Sequence, residues 1–150
     1  MRAVIQRVSK ANVRVGGKVT GSIRNGLVVL LGVHPEDGRP DLEFMTRKLL
    51  NLRIFADDEG KFNLSLMETD GEVLIVSQFT LFGDCRKGNR PSFSRAAPPA
   101  LANNLYEQLK KRLENSGIKV SSGIFGAHME VDLVNDGPVT LLLDSRKEVY

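Results

Sequence analysis

The chain has 150 residues, 41% of them hydrophobic and 26% charged, and a formal net charge of +3. That length suits one domain able to bury about two thirds of its unfolded surface without staples, and the single cysteine, Cys85, excludes an internal disulfide and suits a reducing cytoplasm. The longest apolar run, Leu27 to Val33, is too short to span a bilayer, and Met1-Arg2 leads straight into strand-like alternation, so neither a membrane segment nor a signal peptide is expected.

Ala3 to Val15 is rich in β-branched residues and predicts a strand, with Gly16-Gly17 turning it into a second strand over Lys18 to Ile23. Asn25-Gly26 is another turn signal. The unbroken apolar run that follows, Leu27 to Val33, predicts a strand covered on both faces. Leu42, Met45, Leu49 and Leu52 recur at helical spacing and predict an amphipathic helix over Asp41 to Leu52, with Pro40 suited to its first turn. Asp57-Asp58-Glu59-Gly60 predicts a turn before Lys61 to Leu64; it lacks the alternating ligands of a calcium loop.

Val73 to Phe82 is an apolar strand that Ser77, Gln78 and Thr80 interrupt just before Gly83. Polar groups inside an apolar strand need hydrogen-bond partners. Two arrangements meet that need: a strand end that opens into a pocket, or a half-buried strand with a wet face. Thr80 and Ser77 lie outside any Gly-x-Ser-x-Gly elbow, and no base for either is evident, so backbone N–H groups and one hydroxyl holding a carbonyl oxygen is the more economical chemistry. From Cys85 to Ala97 the chain carries Arg86, Lys87, Arg90 and Arg95 and no acidic residue. Such a loop can contact phosphates or serve only as a solvated, solubilising segment. Arg86 and Lys87 could lower the Cys85 thiol pKa, but a cysteine hydrolase also needs a histidine base that nothing here places.

Pro98 or Pro99 starts a second helix whose Leu101, Leu105, Leu109 and Leu113 line one face, and Gly117 follows its end. Short strands are expected at Ile118 to Ser121 and Glu130 to Val134. Asn135-Asp136-Gly137 predicts a turn, with Pro138 opening a closing strand, Val139 to Leu143. X-Pro bonds are the ones that adopt the cis form readily, and a cis Gly137-Pro138 bond would aim two carbonyls one way as a backbone pincer. His34 and His128 are far apart without zinc-site spacing, so no metal site is predicted. The expected fold is a single α+β domain, a barrel-like mixed β-sheet with about two flanking helices.

Four segments occur together in one order: Met1 to Val8, Ser77-Gln78-Phe79-Thr80-Leu81, Gly123-Ile124-Phe125-Gly126-Ala127-His128-Met129, and Asn135-Asp136-Gly137-Pro138-Val139-Thr140. In this the chain resembles the D-aminoacyl-tRNA deacylase family over essentially its whole length. The resemblance implies a cytoplasmic homodimer that hydrolyses the ester between a D-amino acid and tRNA, and glycyl-tRNA mischarged onto the alanine tRNA, with neither metal nor organic cofactor. It further implies that Ser77, Gln78 and Thr80 sit at the reacting centre and that Phe79, Leu81, Phe125 and Met129 shape the pocket. Gly137-Pro138 would enter the partner subunit's site as a cis pincer, capture the substrate amino group and exclude an L side chain. Thr80 would act either as nucleophile or as a positioning group for attack assisted by the terminal ribose 2′-hydroxyl. The acceptor stem would run along Arg86, Lys87 and Arg90. Ordinary core packing is the competing role for Phe125, and a non-catalytic tRNA-end binding module the competing function. His128 departs from the family pattern and receives no role.

Overall fold

Five strands curl into a nearly closed barrel whose central strands bury apolar side chains on both faces. The computed structural model of the chain describes residues 1–149. Strand β1, Arg2–Val15, is antiparallel on one side first to β3, Gly26–Gly32, and then to β2, Lys18–Ile23. Strand β6, Glu72–Ser77, lies parallel to β3, and β7, Val120–Ser122, parallel to β6. The barrel nearly closes where β7 returns to β2: the Ser121 hydroxyl donates to the Ser22 carbonyl at 2.9 Å, and a Cβ on Gly21 would stand 2.6 Å from the Ser122 carbonyl oxygen. A small hairpin, β4 (Phe55–Ala56) and β5 (Phe62–Leu64), is turned by Asp57 to Gly60, as expected.

The alternation of side chains along a strand sorts the core. Leu27, Val29 and Leu31 of β3 and Val73 and Ile75 of β6 pack with helix α1, Arg39–Asn51, through Leu42, Met45 and Leu49. They also meet helix α2, Pro99–Asn115, through Leu105, Leu109 and Leu113. Val28, Leu74 and Val76 turn the other way, into a second cluster with Val8, Val13 and Ile23. Burial on both faces of β3 is what its unbroken apolar run predicts. The start of α1 is held by Asp41, whose carboxylate accepts the Gly38 N–H at 2.9 Å.

Two elements depart from expectation. The strand over Val73 to Phe82 ends at Ser77, and Phe79–Phe82 forms a single 3-10 turn. The strand ends at the polar break, where Ser77 is the last residue to pair with β3, opposite Leu31. Nor is Asn135-Asp136-Gly137 a reversal. Strand β8 runs unbroken over Glu130–Asp144, antiparallel to the free side of β1 along its whole length. Its register jumps between Gln6↔Thr140 and Val8↔Asn135, so residues 136–139 bulge out of one continuous strand.

Candidate active site

The C-terminal ends of the three parallel strands β3, β6 and β7 converge on one cavity, the position where parallel sheets leave room for ligands. Its volume is about 510 Å³, and Val33, Ser77, Phe79, Tyr106, Phe125 and Gly126 are among its walls. Ser77 faces it for a simple reason: it shares the period-two face of Val73 and Ile75, the side that meets α2. Just beyond the register pair Leu31↔Ser77, the Gln78 N–H donates to the Leu31 carbonyl at 2.7 Å and pins the strand exit. A smaller recess of about 220 Å³ adjoins, shared by Ser77, Gln78 and Phe79 and lined also by Met129 and Val131.

The 3-10 turn gives this rim its chemistry. Its first amides, those of Phe79 and Thr80, find no acceptor among the described residues, as expected of donors at a helical start. They are available to an oxygen with developing negative charge. Thr80 is exposed, and its hydroxyl accepts a hydrogen bond from the Gln78 side-chain amide. An amide N–H cannot take a proton from Thr80; the hydroxyl keeps its own hydrogen to donate outward. Phe79 is 57% exposed and stands edge-on to Phe93, with ring centroids 5.1 Å apart. Leu81 turns back into the protein, where its carbonyl accepts Arg2 Nη1 at 2.8 Å. Phe125 lies against Tyr106 at 5.8 Å and also touches the core, so packing and lining coexist in one ring.

Sequence patterns did not mark several of the walls. Tyr106 donates its hydroxyl to the Ile75 carbonyl at 3.0 Å, and burial pushes its pKa up to about 12, so it is a fixed neutral donor. Phe93, Ala96, Ala97 and Pro98 close the other side, where the Ala97 N–H donates to the Val33 carbonyl at 2.8 Å. The run Ala96-Ala97-Pro98-Pro99-Ala100 reads as a helix start; its small apolar side chains were the available hint of a wall.

Gly137 and Pro138 are exposed, joined by a cis peptide bond, and line neither recess. Their bulge is held from two sides. Arg7, nearly buried, donates Nε to the Asp136 carbonyl at 3.0 Å and Nη1 to the Ile54 carbonyl at 2.6 Å. Asn135 accepts the Val139 N–H at 2.7 Å and donates to Thr140 Oγ1 at 2.9 Å. In the basic loop, Arg86 is not an open charge: Asp84 takes its Nη2 at 2.6 Å and its Nε at 2.9 Å, and this pairing holds the Asp84 carboxyl far below its ordinary range. Arg95 pairs with Glu148. Lys87 and Arg90 are exposed and make no ion pair with any described residue. Cys85 is exposed and free, and among the described residues no group of three His, Cys, Asp or Glu side chains is placed to hold a metal ion.

Residues 4–144 match the family described as D-Tyr-tRNA(Tyr) deacylase. The chain belongs to this family. Two relatives, each called D-aminoacyl-tRNA deacylase, illustrate the match. That of Thermosipho africanus is 60% identical, and that of Clostridioides difficile 58%, each alignment covering 98% of this chain and 99% of the relative. Among solved structures, one called c-Myc DNA Unwinding Element Binding Protein is 44% identical, with a TM-score of 0.89 over 96% of this chain and 98% of that one. A probable eukaryotic D-amino acid tRNA deacylase shares the fold at 21% identity, with a TM-score of 0.81 over 95% and 97% of the two chains. Within the deacylase family, then, the chain carries Ser77, Gln78 and Phe79 at the parallel-strand cavity and Gly137-Pro138 on a separate, clamped bulge. No helix of the described residues is long and apolar enough to cross a membrane.

Proposed function

We propose that this chain is a D-aminoacyl-tRNA deacylase, a hydrolase that splits the ester joining a D-amino acid to tRNA and so clears mischarged tRNA in the cytoplasm. The observation that carries the reading is the pair of unpartnered amides at Phe79 and Thr80, which open onto an apolar cavity whose mouth bears an exposed aromatic ring. A terminal adenosine fits such a surface by stacking, with the ester carbonyl turned toward the amides. Phe79 and Phe125 are the rings that would flank it.

An aminoacyl ester is already activated, and the neighbouring ribose 2′-hydroxyl is held beside the carbonyl by covalent structure. Proximity of that kind supplies much of the barrier reduction. With only an amide donor on Thr80, the hydroxyl acts best as a donor that orients substrate, and the 2′-hydroxyl assists attack. The exposed Gly137-Pro138 bulge offers backbone carbonyls to the substrate amino group and leaves no room for an L side chain. Rejection by a thousandfold needs about 4 kcal/mol, within reach of one steric overlap. A glycyl ester has no side chain to reject and would be accepted as well. Because the bulge lines neither recess of its own chain, the reading includes an isologous homodimer with shared sites.

The test is incubation of purified protein with D-tyrosyl-tRNA and L-tyrosyl-tRNA. The D ester should disappear far faster than in buffer while the L ester persists. A second reading, nucleic-acid binding without turnover, is favoured by the name of the 44%-identical solved structure. Binding of tRNA with no loss of either ester would select it.

A further inference from the structure

Arg2 is the first residue of β1, yet its side chain reaches the rim of the cavity. Nη1 donates to the Leu81 carbonyl at 2.8 Å, inside the 3-10 turn that carries Thr80. Nη2 donates to Asp144 Oδ2 at 3.1 Å, and the guanidinium lies 4.7 Å from the centre of the Phe82 ring. Asp144 is fully buried and is the ladder partner of Arg2 across β1 and β8. Glu148 approaches the same Nη2 at 3.6 Å and also pairs with Arg95, in the loop whose Phe93, Ala96 and Ala97 wall the cavity. One planar fork therefore ties the turn on one side of the cavity and, through Glu148, the loop on the other to the end of β8. The turn's other tethers are the Gln78 N–H to Leu31 at its start, the Leu81 N–H to Gln78 and Gly83 N–H to Thr80 within itself, and the buried Phe82 ring, which packs 5.6 Å from His34. Arg2 is the side chain that bonds a carbonyl of the turn to another strand.

We propose that Arg2, fixed by Asp144, is a positioning residue for the reaction: it holds the Phe79–Phe82 turn so that the free amides and the Thr80 hydroxyl point at the ester. The proposal rests on the deacylase reading for its chemical consequence but on geometry for the hold itself. Arginine suits the role because its fork can serve a carbonyl and a carboxylate at once, whereas a lysine ammonium is a single point charge.

The test compares wild type with Arg2→Met/Asp144→Asn, which removes both charges together so that no buried carboxylate is stranded, and with Arg2→Lys. Amide hydrogen exchange over residues 78–84 should quicken at least tenfold in the double variant, while α1 and β3 keep their protection. Below the melting transition kcat for D-tyrosyl-tRNA should fall at least tenfold with KM within threefold, and Arg2→Lys should fall between. Unchanged exchange in the turn overturns the proposal, and so does quickened exchange with wild-type kcat. If wild type leaves D-tyrosyl-tRNA intact, the deacylase reading fails, and the exchange measurement alone upholds or overturns the hold on the turn.

Discussion

Replacing Gly137 by alanine isolates how the bulge is built. Gly137 has φ +141°, a region that L residues rarely adopt, and a Cβ there would meet Val139 Cγ2 at 2.7 Å and Val139 N at 3.0 Å. The backbone conformation alone costs about 1–3 kcal/mol for a non-glycine residue. Val139 is only 7% exposed and its N–H is bonded to Asn135, so it cannot simply swing aside. Crowding a packed position adds about 1–3 kcal/mol. Gly137→Ala should therefore lose roughly 2–6 kcal/mol, which at about 2–4 °C per kcal/mol for a chain of this size lowers the melting temperature by roughly 4–24 °C. Urea unfolding at one fixed protein concentration measures it, since association would otherwise shift the midpoint. In a Val139→Ala background the Cγ2 overlap is gone, and the same substitution should cost about 1–3 kcal/mol less. A Gly137→Ala change within about 0.5 kcal/mol of wild type refutes the conformational argument. Equal costs in the two backgrounds refute the steric half of it.

Thr80→Ala should retain substantial turnover of D-tyrosyl-tRNA, with a loss closer to tenfold than to the many orders expected of a missing nucleophile; single-turnover kinetics decide between them. Lys87→Ala/Arg90→Ala should weaken tRNA binding and flatten the plot of log affinity against log salt, by up to roughly 1.8 if both charges sit on phosphates. Arg86→Ala should change that slope less, because Asp84 already occupies its guanidinium. Glu72 is held below the usual glutamate range by the Lys119 ammonium at 2.8 Å and by the Arg24 N–H. A depressed pKa contributes stability above the unfolded value of about 4.5 and loses it as pH falls through the folded value. The stability gap between wild type and Glu72→Gln should thus hold steady from neutral pH to about 5 and close below it, as urea midpoints across pH will register.

What the sequence made legible was whatever is encoded locally. Leu42, Met45 and Leu49 are all buried in α1, and the polar break at Ser77 does mark the edge of a cavity, because both follow from a residue's immediate neighbours. Tyr106 and Ala97 reach the cavity through tertiary contact with Ile75 and Val33, and nothing in their own segments records those partners. The segment 135–138 has the composition of a turn, and its residues do leave the ladder. That it bulges from a continuing strand depends on Gln6 and Val8 pairing with Thr140 and Asn135, a register between segments more than a hundred residues apart. Arg7 is similar: an arginine in an alternating strand looks solvent-bound, and only the Ile54 and Asp136 carbonyls above it make burial affordable.

The same register bears on the proposed sharing of sites between two chains. From β8 to β6 the order is β8, β1, β3, β6, three steps of about 4.8 Å each. Ser77 is level with Leu31 and Ala3, whereas the bulge is level with Arg7, four residues or about 13 Å along β1. Measured along the sheet, the two halves of the motif are therefore separated by roughly 19 Å of strand spacing and rise, an upper limit that the curl of the sheet shortens, and the bulge lines neither recess of its own chain. An isologous pair can bring each bulge to the other chain's cavity, and the exposed Val131, Val134, Phe79 and Ile124 offer apolar surface for such a contact. Mixing two disabled chains tests it: one with Ser77→Phe filling the cavity, one with Gly137→Ala disturbing the bulge. If sites are shared across the two-fold axis, random re-pairing makes half of the dimers mixed. Each mixed dimer carries one intact site, so about a quarter of wild-type deacylation returns from two inactive parents. If each chain works alone, every site in the mixture keeps one lesion and nothing returns.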